Sequence, residues 1–375
     1  MIDRRRGVLS AAGLFALALA ALPSRLGAQT KLPEALSLTA ADKEILIADA
    51  AGLATRFEKQ PRTILALGAD APAIAHLLAA FPQGRERLIG IERAGRPGDP
   101  LLALIDPSFE KQSVLASDSS LASITALKPD LVLRRGRKLE AQDAGLASAG
   151  VPVVHLGLDS PEQYERDLGI LGAILGAKER ADELILFYRS LYGGILMNGT
   201  YATTADRPRI LMAAASLQAG AVVLTLPPLS SMSTQLVRAA GGTAWEDAAD
   251  KGSESKPVSL PSIASWNPDM IVLSVPVSTD PAAVIAGLRS DRRSRALKAV
   301  SAGRVFTLPG DIDDWNTPDP RWVLGLSWLA AQINPGRFPH YDLDKTIEVF
   351  FSTLYGLDQA AVAAIIRPAL RQSVK

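Results

Sequence analysis

Residues 126–133 read ALKPDLVL, and residues 265–273 read SWNPDMIVL. Each places a Pro-Asp pair, Pro129-Asp130 or Pro268-Asp269, between a segment of helical pattern and a short apolar run. Proline ends a helix and biases the residue before it away from the helical region, while aspartate suits the turn that follows. Both stretches therefore predict a helix, a tight turn and a buried strand. The two pairs lie 139 positions apart, and one unit recurring at the same place in each half of a chain points to duplication.

The flanking sequence repeats this alternation. Ile64–Leu67, Leu88–Glu92, Leu131–Leu133 and Val151–Leu156 have the composition of short buried strands, separated by helical patterns at 73–80, 119–126 and 139–149. A second series places strands near 209–215, 270–274 and 304–308, with helices near 234–240, 260–265 and 281–288. Such alternation predicts the α/β class, with a central parallel sheet covered by helices in each of two lobes. Between the series lies SPEQYERDLGILGAILGAKERADELILFYRSLYGGI, residues 160–195. Ser160, Pro161 and Gln163 form a helix start of the capping-box kind, and Gly193-Gly194 stops the apolar repeat. One helix over 160–194 is expected; about 30 residues at 1.5 Å each span roughly 45 Å, enough to join the lobes.

The chain has 375 residues, 40 Lys+Arg against 39 Asp+Glu, 48% hydrophobic residues and no Cys. A disordered tail, a disulfide scaffold, a cysteine-based metal site and a strongly basic nucleic-acid binder are thereby excluded. Residues 1–28 hold four Arg and one Asp, so the remainder carries 36 Lys+Arg against 38 Asp+Glu. That first segment has a basic start, sixteen uncharged residues from Gly7 to Leu22 and a small-residue end at Gly27-Ala28. It reads as a signal peptide, with the mature chain expected to be periplasmic and without a lipid-bearing cysteine. Arg5-Arg6 also fits the twin-arginine route, and the sequence leaves both export routes open. The expected organisation is signal peptide 1–28, first lobe 29–159, linker helix 160–194 and second lobe 195–375.

Taken in order, LASITALKPDLVL, GVPVVHLG, the long helical segment, LVRAAGG, VSLPSIASWNPDMIVLS and GRVFTLPGDIDDWNTPDPRWVLGLSWLAAQINPGRF resemble the periplasmic substrate-binding proteins of iron-siderophore, haem and cobalamin importers. The resemblance covers about residues 60 to 356. It implies two Rossmann-like lobes joined by one rigid helix, a metal chelate held in the cleft between them, and delivery to an inner-membrane ABC permease with its ATPase. It further implies a monomer with no cofactor of its own. Many relatives carry a docking glutamate on each lobe; Ala73 and Pro261 stand at those places here, with Glu86 and Glu254 as substitutes between which the sequence does not choose.

In open α/β sheets ligands bind beyond the carboxyl ends of the strands. The candidate loops are Gly68 to Asp70, Arg93 to Arg96, Ser117 to Ser120, Arg134 to Arg137, Ser216 to Gly220, Ser274 to Val277, and Asp311 to Asn316 with Arg321 beyond. Three arginines in four positions, Arg134, Arg135 and Arg137, offer permanent charge and planar donors suited to an anionic chelate. In catecholate-binding relatives an arginine follows a glycine in this loop, which Gly136-Arg137 matches. The alternative for the cluster is pairing with Glu140 and Asp143. Trp315 is expected to cover the solute, with packing under Pro318 as its alternative; Asp70, Ser117, Ser274 and Arg321 complete the expected set. The acids near Trp315 do not make a calcium loop, because Asn316 falls at the obligatory glycine and Trp322 at the bidentate glutamate.

No phosphate loop, nucleophile elbow or His-Glu-x-x-His motif occurs. The three histidines, His76, His155 and His340, are isolated in sequence and read as core or surface residues, with a ligand for haem iron or zinc as the alternative for any of them. The sequence thus predicts a binding protein for a ferric siderophore, with haem, cobalamin or another metal chelate as the alternative solute and a two-lobed enzyme as the rival class.

Overall fold

A computed structural model describes residues 44–93, 99–198, 207–218, 221–245, 255–276, 278–311, 314–371 and 373, all within one compact unit, Leu38–Lys375. The expected signal peptide and the candidate positions 94–96, 219–220, 254, 277, 312 and 313 lie outside the described residues. The chain enters with a hairpin that was not among the expected strands, β1 (Ile45–Ala48) and β2 (Ala54–Phe57). Asp49 closes its turn by accepting from the amides of Ala51 and Leu53.

The first lobe then runs β3 (Ile64–Leu67), α1 (Ala71–Ala79), α2 (Pro82–Arg87), β4 (Leu88–Glu92), α3 (Pro100–Ile105), β5 (Ser113–Leu115), α4 (Leu121–Ala126), β6 (Leu131–Arg135), α5 (Asp143–Ser148) and β7 (Val153–Leu156). All five strands are parallel, in the order β5-β4-β3-β6-β7. β3 and β7 are buried at every residue, as parallel strands covered on both faces must be. The winding reverses between β3 and β6, so the loops after them flank the crevice where such sheets take ligands.

Two helices follow, α6 (Pro161–Leu175) and α7 (Lys178–Asn198). The single helix expected over 160–194 is therefore corrected. Gly176 caps α6 in the left-handed region, at φ +65°, and the chain restarts two residues later. Period alone concealed the break because both helices bury a stripe in the same core. The bridging element is α7, whose 21 residues extend about 31 Å. Arg180 ties its start to both lobes, donating to Ala80 O at 3.0 Å and to Thr353 O and Leu354 O at 2.7 and 2.9 Å.

The second lobe comprises β8 (Arg209–Gln218), β9 (Ala221–Leu226), α8 (Met232–Ala239), β10 (Thr243–Ala244), β11 (Lys256–Val258), α9 (Leu260–Trp266), β12 (Met270–Ser274), α10 (Pro281–Ser290), α11 (Lys298–Ser301), β13 (Val305–Thr307), α12 (Trp322–Ile333) and α13 (Leu343–Tyr355). Its sheet order is β11-β9-β8-β12-β13, with β10 also paired to β8. The expected parallel centre is β10-β8-β12-β13, and an antiparallel edge is added to it: β8 turns back as a hairpin into β9, and β11 extends that edge.

The repeated Pro-Asp units adopt one geometry. Lys128 and Asn267, each before its proline, sit in the left-handed region at φ 51° and 48°. Asp130 accepts from the amides of Arg62 and Thr63 at 2.8 and 3.1 Å, and Asp269 from that of Arg209 at 2.7 Å. Each aspartate thus clasps the entry of the neighbouring central strand, β3 or β8. Apolar packing continues between the lobes: Ile74 and Leu78 of α1 share one buried cluster with Leu168, Tyr188, Trp322 and Phe350. Separate clusters cover the far faces of the two sheets. A shared core of this kind restricts the lobes to small relative motion, because wide opening would wet it. Among the described residues no single helix is long and apolar enough to cross a membrane.

Candidate functional site

A cleft of about 820 Å³ lies where the expected arginine loop of the first lobe faces the start of α8 in the second. Its first wall is the turn after β6, Arg135 to Lys138 with Glu140; its floor is the start of α6, from Asp159 to Gln163; Ser230 and Gln235 form the opposite wall. Gly136 makes the turn possible. Its φ of +122° is one that side-chain-bearing residues rarely adopt, and its amide donates to Leu156 O at 2.8 Å, pinning the loop to β7.

That turn separates the arginines. Arg135 donates from Nη1 to Asp70 Oδ2 at 2.7 Å and from Nη2 to Asp159 Oδ1. Burial disfavours its charge, but the two carboxylates outweigh this and hold its proton more firmly than usual. Arg137 and Lys138 are exposed on the cleft wall, and neither has an ion-pair partner among the described residues. Arg134 points the other way. It is buried, its Nε lies 3.0 Å from Asp143 Oδ1 and its Nη2 donates to Gln142. His155 Nε2 completes that interior group, 3.1 Å from Asp143 Oδ2. The pairing alternative thus holds for Arg134, and the expected solute contact there is corrected.

The other expected contacts divide in the same way. Asp70 reaches the cleft only through Arg135. Ser117 is exposed after β5 and is not among the residues lining the cleft, and Ser274 donates to Asp314 Oδ2 at 3.0 Å. Trp315 is fully buried and packs on α12 where Gly325 leaves room; a Cβ there would lie 2.3 Å from Trp315 O. Arg321 is also fully buried, bonded to Asp319 at Nε (2.5 Å) and to Asp311 at Nη1 (2.7 Å). Both lie beneath the surface because the segment after β13 folds into the interface between lobes. Their expected roles over the solute are corrected accordingly.

Seven cleft residues were not singled out from sequence as solute contacts: Lys138, Asp159, Ser160, Glu162, Gln163, Ser230 and Gln235. Ser160 and Gln163 were legible only as a cap, and they do cap α6: Ser160 Oγ accepts from Gln163 N at 3.3 Å while Gln163 Oε1 accepts from Asp159 N at 3.2 Å. The cap directs the positive end of the α6 dipole toward the cleft.

Two α/β lobes, a helical bridge and a polar cleft between them define a protein that encloses a small solute. The chain belongs to the Periplasmic binding protein family, whose profile matches residues 111–312. It is 28% identical over 264 residues to the molybdate-binding protein MolA of Haemophilus influenzae, covering 64% of this chain and 72% of MolA. A periplasmic solute-binding protein from Veillonella parvula superposes with a TM-score of 0.65 at 21% identity, covering 86% of this chain and 97% of that one. CeuE of Helicobacter pylori, in complex with Ni-His, does so with a TM-score of 0.65 at 16% identity, covering 88% and 100%. The protein is a periplasmic binding component of the ABC-importer type, a binder of a transported solute rather than an enzyme, and the family uses no cofactor.

Proposed function

We propose that the transported solute is an anionic metal chelate, a ferric siderophore of net negative charge, caught in the cleft by Arg137 and Lys138 and passed to an inner-membrane permease. The observation that carries this reading is the pair of exposed cations on a cleft of about 820 Å³. A cavity of several hundred cubic ångströms suits a drug-sized molecule, and guanidinium and ammonium groups without carboxylate partners suit an anion. Arg135 serves by position: Asp70 and Asp159 already engage it, so it shapes the wall that presents Arg137. Glu140 and Glu162 also line the cleft, and they favour a solute whose negative charge is concentrated on one side. The lining includes no aromatic ring among the described residues, which weighs against the flat macrocycles of haem and cobalamin. A second reading, bare molybdate, is favoured by the name of the 28% identical relative. Calorimetry of the mature protein with a ferric tris-catecholate, a ferric trihydroxamate, molybdate, haemin and cobalamin tests these readings. The chelate reading expects saturable binding of the ferric tris-catecholate, weakened by Arg137→Ala. Binding of molybdate alone transfers the assignment to the oxyanion.

A further inference from the structure

Among the described residues, a set of buried charges lies outside the cleft and spans the two lobes. His76, midway along α1, is fully buried. Its Nδ1 is 2.5 Å from Asp319 Oδ2, and its Nε2 is 3.1 Å from both oxygens of Asp99. Asp99 belongs to the first lobe, where it caps α3 through the amides of Leu101 and Leu102 and pairs with Arg93. Asp319 belongs to the second lobe, 243 residues from His76. Arg321 Nη2 lies 3.1 Å from the same Nδ1, but it is also 2.8 Å from Asp319 Oδ2. Only a carboxylate oxygen has a lone pair to accept there once Nδ1 carries a proton, so that arginine is read as a donor to Asp319.

Neutral imidazole has one N–H, whereas both ring nitrogens here face carboxylates; imidazolium supplies the two donors required. Charge balance agrees. Among the described residues the cluster sets His76, Arg93 and Arg321 against Asp99, Asp311 and Asp319. A further pair, Arg371 with Asp314, borders it through Asp311 O. Among the described residues the other titratable groups that face it are phenols: Tyr164 of α6, Tyr188 of α7 and Tyr355 of α13. Burial pushes all three well above their ordinary range, so they remain neutral. Tyr188 also donates to Pro320 O at 2.8 Å, fastening α7 to the same segment.

We infer that His76, as a cation held between Asp99 of one lobe and Asp319 of the other, is the pin that fixes the angle between the lobes. It is a positioning residue: it touches no solute and sets the aperture between Arg137 and Gln235. A buried group that gives up its proton leaves an uncompensated carboxylate at the interface, and separation of the lobes then admits water to it. Burial opposes the charge of His76, yet Asp319 and Asp99 outweigh that and raise it to about 9, so the pin holds throughout the neutral range.

The chain has no Cys, so Glu162→Cys on the floor of the cleft and Ser230→Cys on its second-lobe wall give a clean pair of spin labels. Electron–electron distance measurements on the labelled mature protein, without solute, report the aperture and do not depend on what the cleft carries. The expected result is one narrow distribution near neutral pH that broadens and lengthens when the pH is raised beyond that of His76. In a His76→Gln background the broad distribution appears at both pH values. His76→Gln with Asp99→Asn restores charge balance, keeps a capping side chain on α3 and is expected to narrow the distribution again. A His76→Gln protein that is less stable but has the unchanged narrow distance would overturn the inference, assigning the cluster to stability alone. If His76→Gln does not fold, an unchanged distance in the labelled parent across the same pH range overturns it equally.

Discussion

Raising the pH through the alkaline range should destabilise this protein by a calculable amount, and the source is one side chain. His76 titrates at about 9 in the folded chain against an ordinary value of 6.5. Below the ordinary value it is protonated in both folded and unfolded chains, so its full contribution is present. Between the two values only the folded chain holds the proton, and the contribution falls away as the pH approaches and passes about 9. At about 1.4 kcal/mol per unit, a displacement of roughly two and a half units corresponds to about 3 kcal/mol; the ring is fully buried, so solvent screening removes little of it. Urea unfolding from about pH 6 to about pH 10 should follow this loss, and the same series on His76→Gln should lack it. The three histidines of the chain allow direct confirmation, since ring-nitrogen NMR should show one that titrates near 9. Equal pH slopes for the two proteins, or three rings all titrating below 7, would rule out His76 as the source.

Other outcomes follow from the same contacts. On the acid side, burial alone would raise Asp99 and Asp319, but His76 with Arg93 holds the first, and Arg321 with His76 the second, well below the usual carboxylate range; their contribution is present above that range and should be lost in acid, seen as a falling unfolding midpoint. Arg137→Ala should weaken binding of an anionic ferric chelate by about one to two powers of ten, the equivalent of one charge-assisted contact of about 1.5–3 kcal/mol, and Arg137→Lys should recover part of it in the same titration. Asp130→Ala and Asp269→Ala should each lower stability by about 1 kcal/mol in denaturant melts, since each strips hydrogen bonds from the mouth of a central strand. Gly176→Ala should cost about 1–2 kcal/mol, for a left-handed residue gains a Cβ that would also meet the side chain of Gln60 at 1.9 Å. Trp315→Phe should leave chelate affinity unchanged, because the indole is sealed inside.

The lobes were legible because short aliphatic runs and Pro-Asp turns are local signals: Pro129-Asp130 and Pro268-Asp269 announce the same clasp wherever they occur. The arginine cluster stood out as three cations in four positions beyond a buried strand, and Gly136-Arg137 within it only through the resemblance to catecholate-binding relatives. The break at Gly176 was not, since an apolar stripe of period 3.6 continues across it and only the cap conformation interrupts the helix. The fates of Trp315 and Arg321 depend on how the segment after β13 folds between the lobes, which no window of sequence contains. His76 illustrates the limit most clearly. It looked isolated because its partners lie 23 and 243 residues away, and charges that meet only in the folded chain leave no spacing to read.

We propose that the cleft beside Arg137 holds a metal-bearing anion. Crystals of the mature protein grown with a ferric tris-catecholate, and separately with molybdate, can be measured at the iron and molybdenum absorption edges. An anomalous iron peak is expected in the cleft between Arg137 and Gln235, lost in crystals of Arg137→Ala grown identically. An iron peak elsewhere, or a molybdenum peak in that cleft with none for iron, would contradict it.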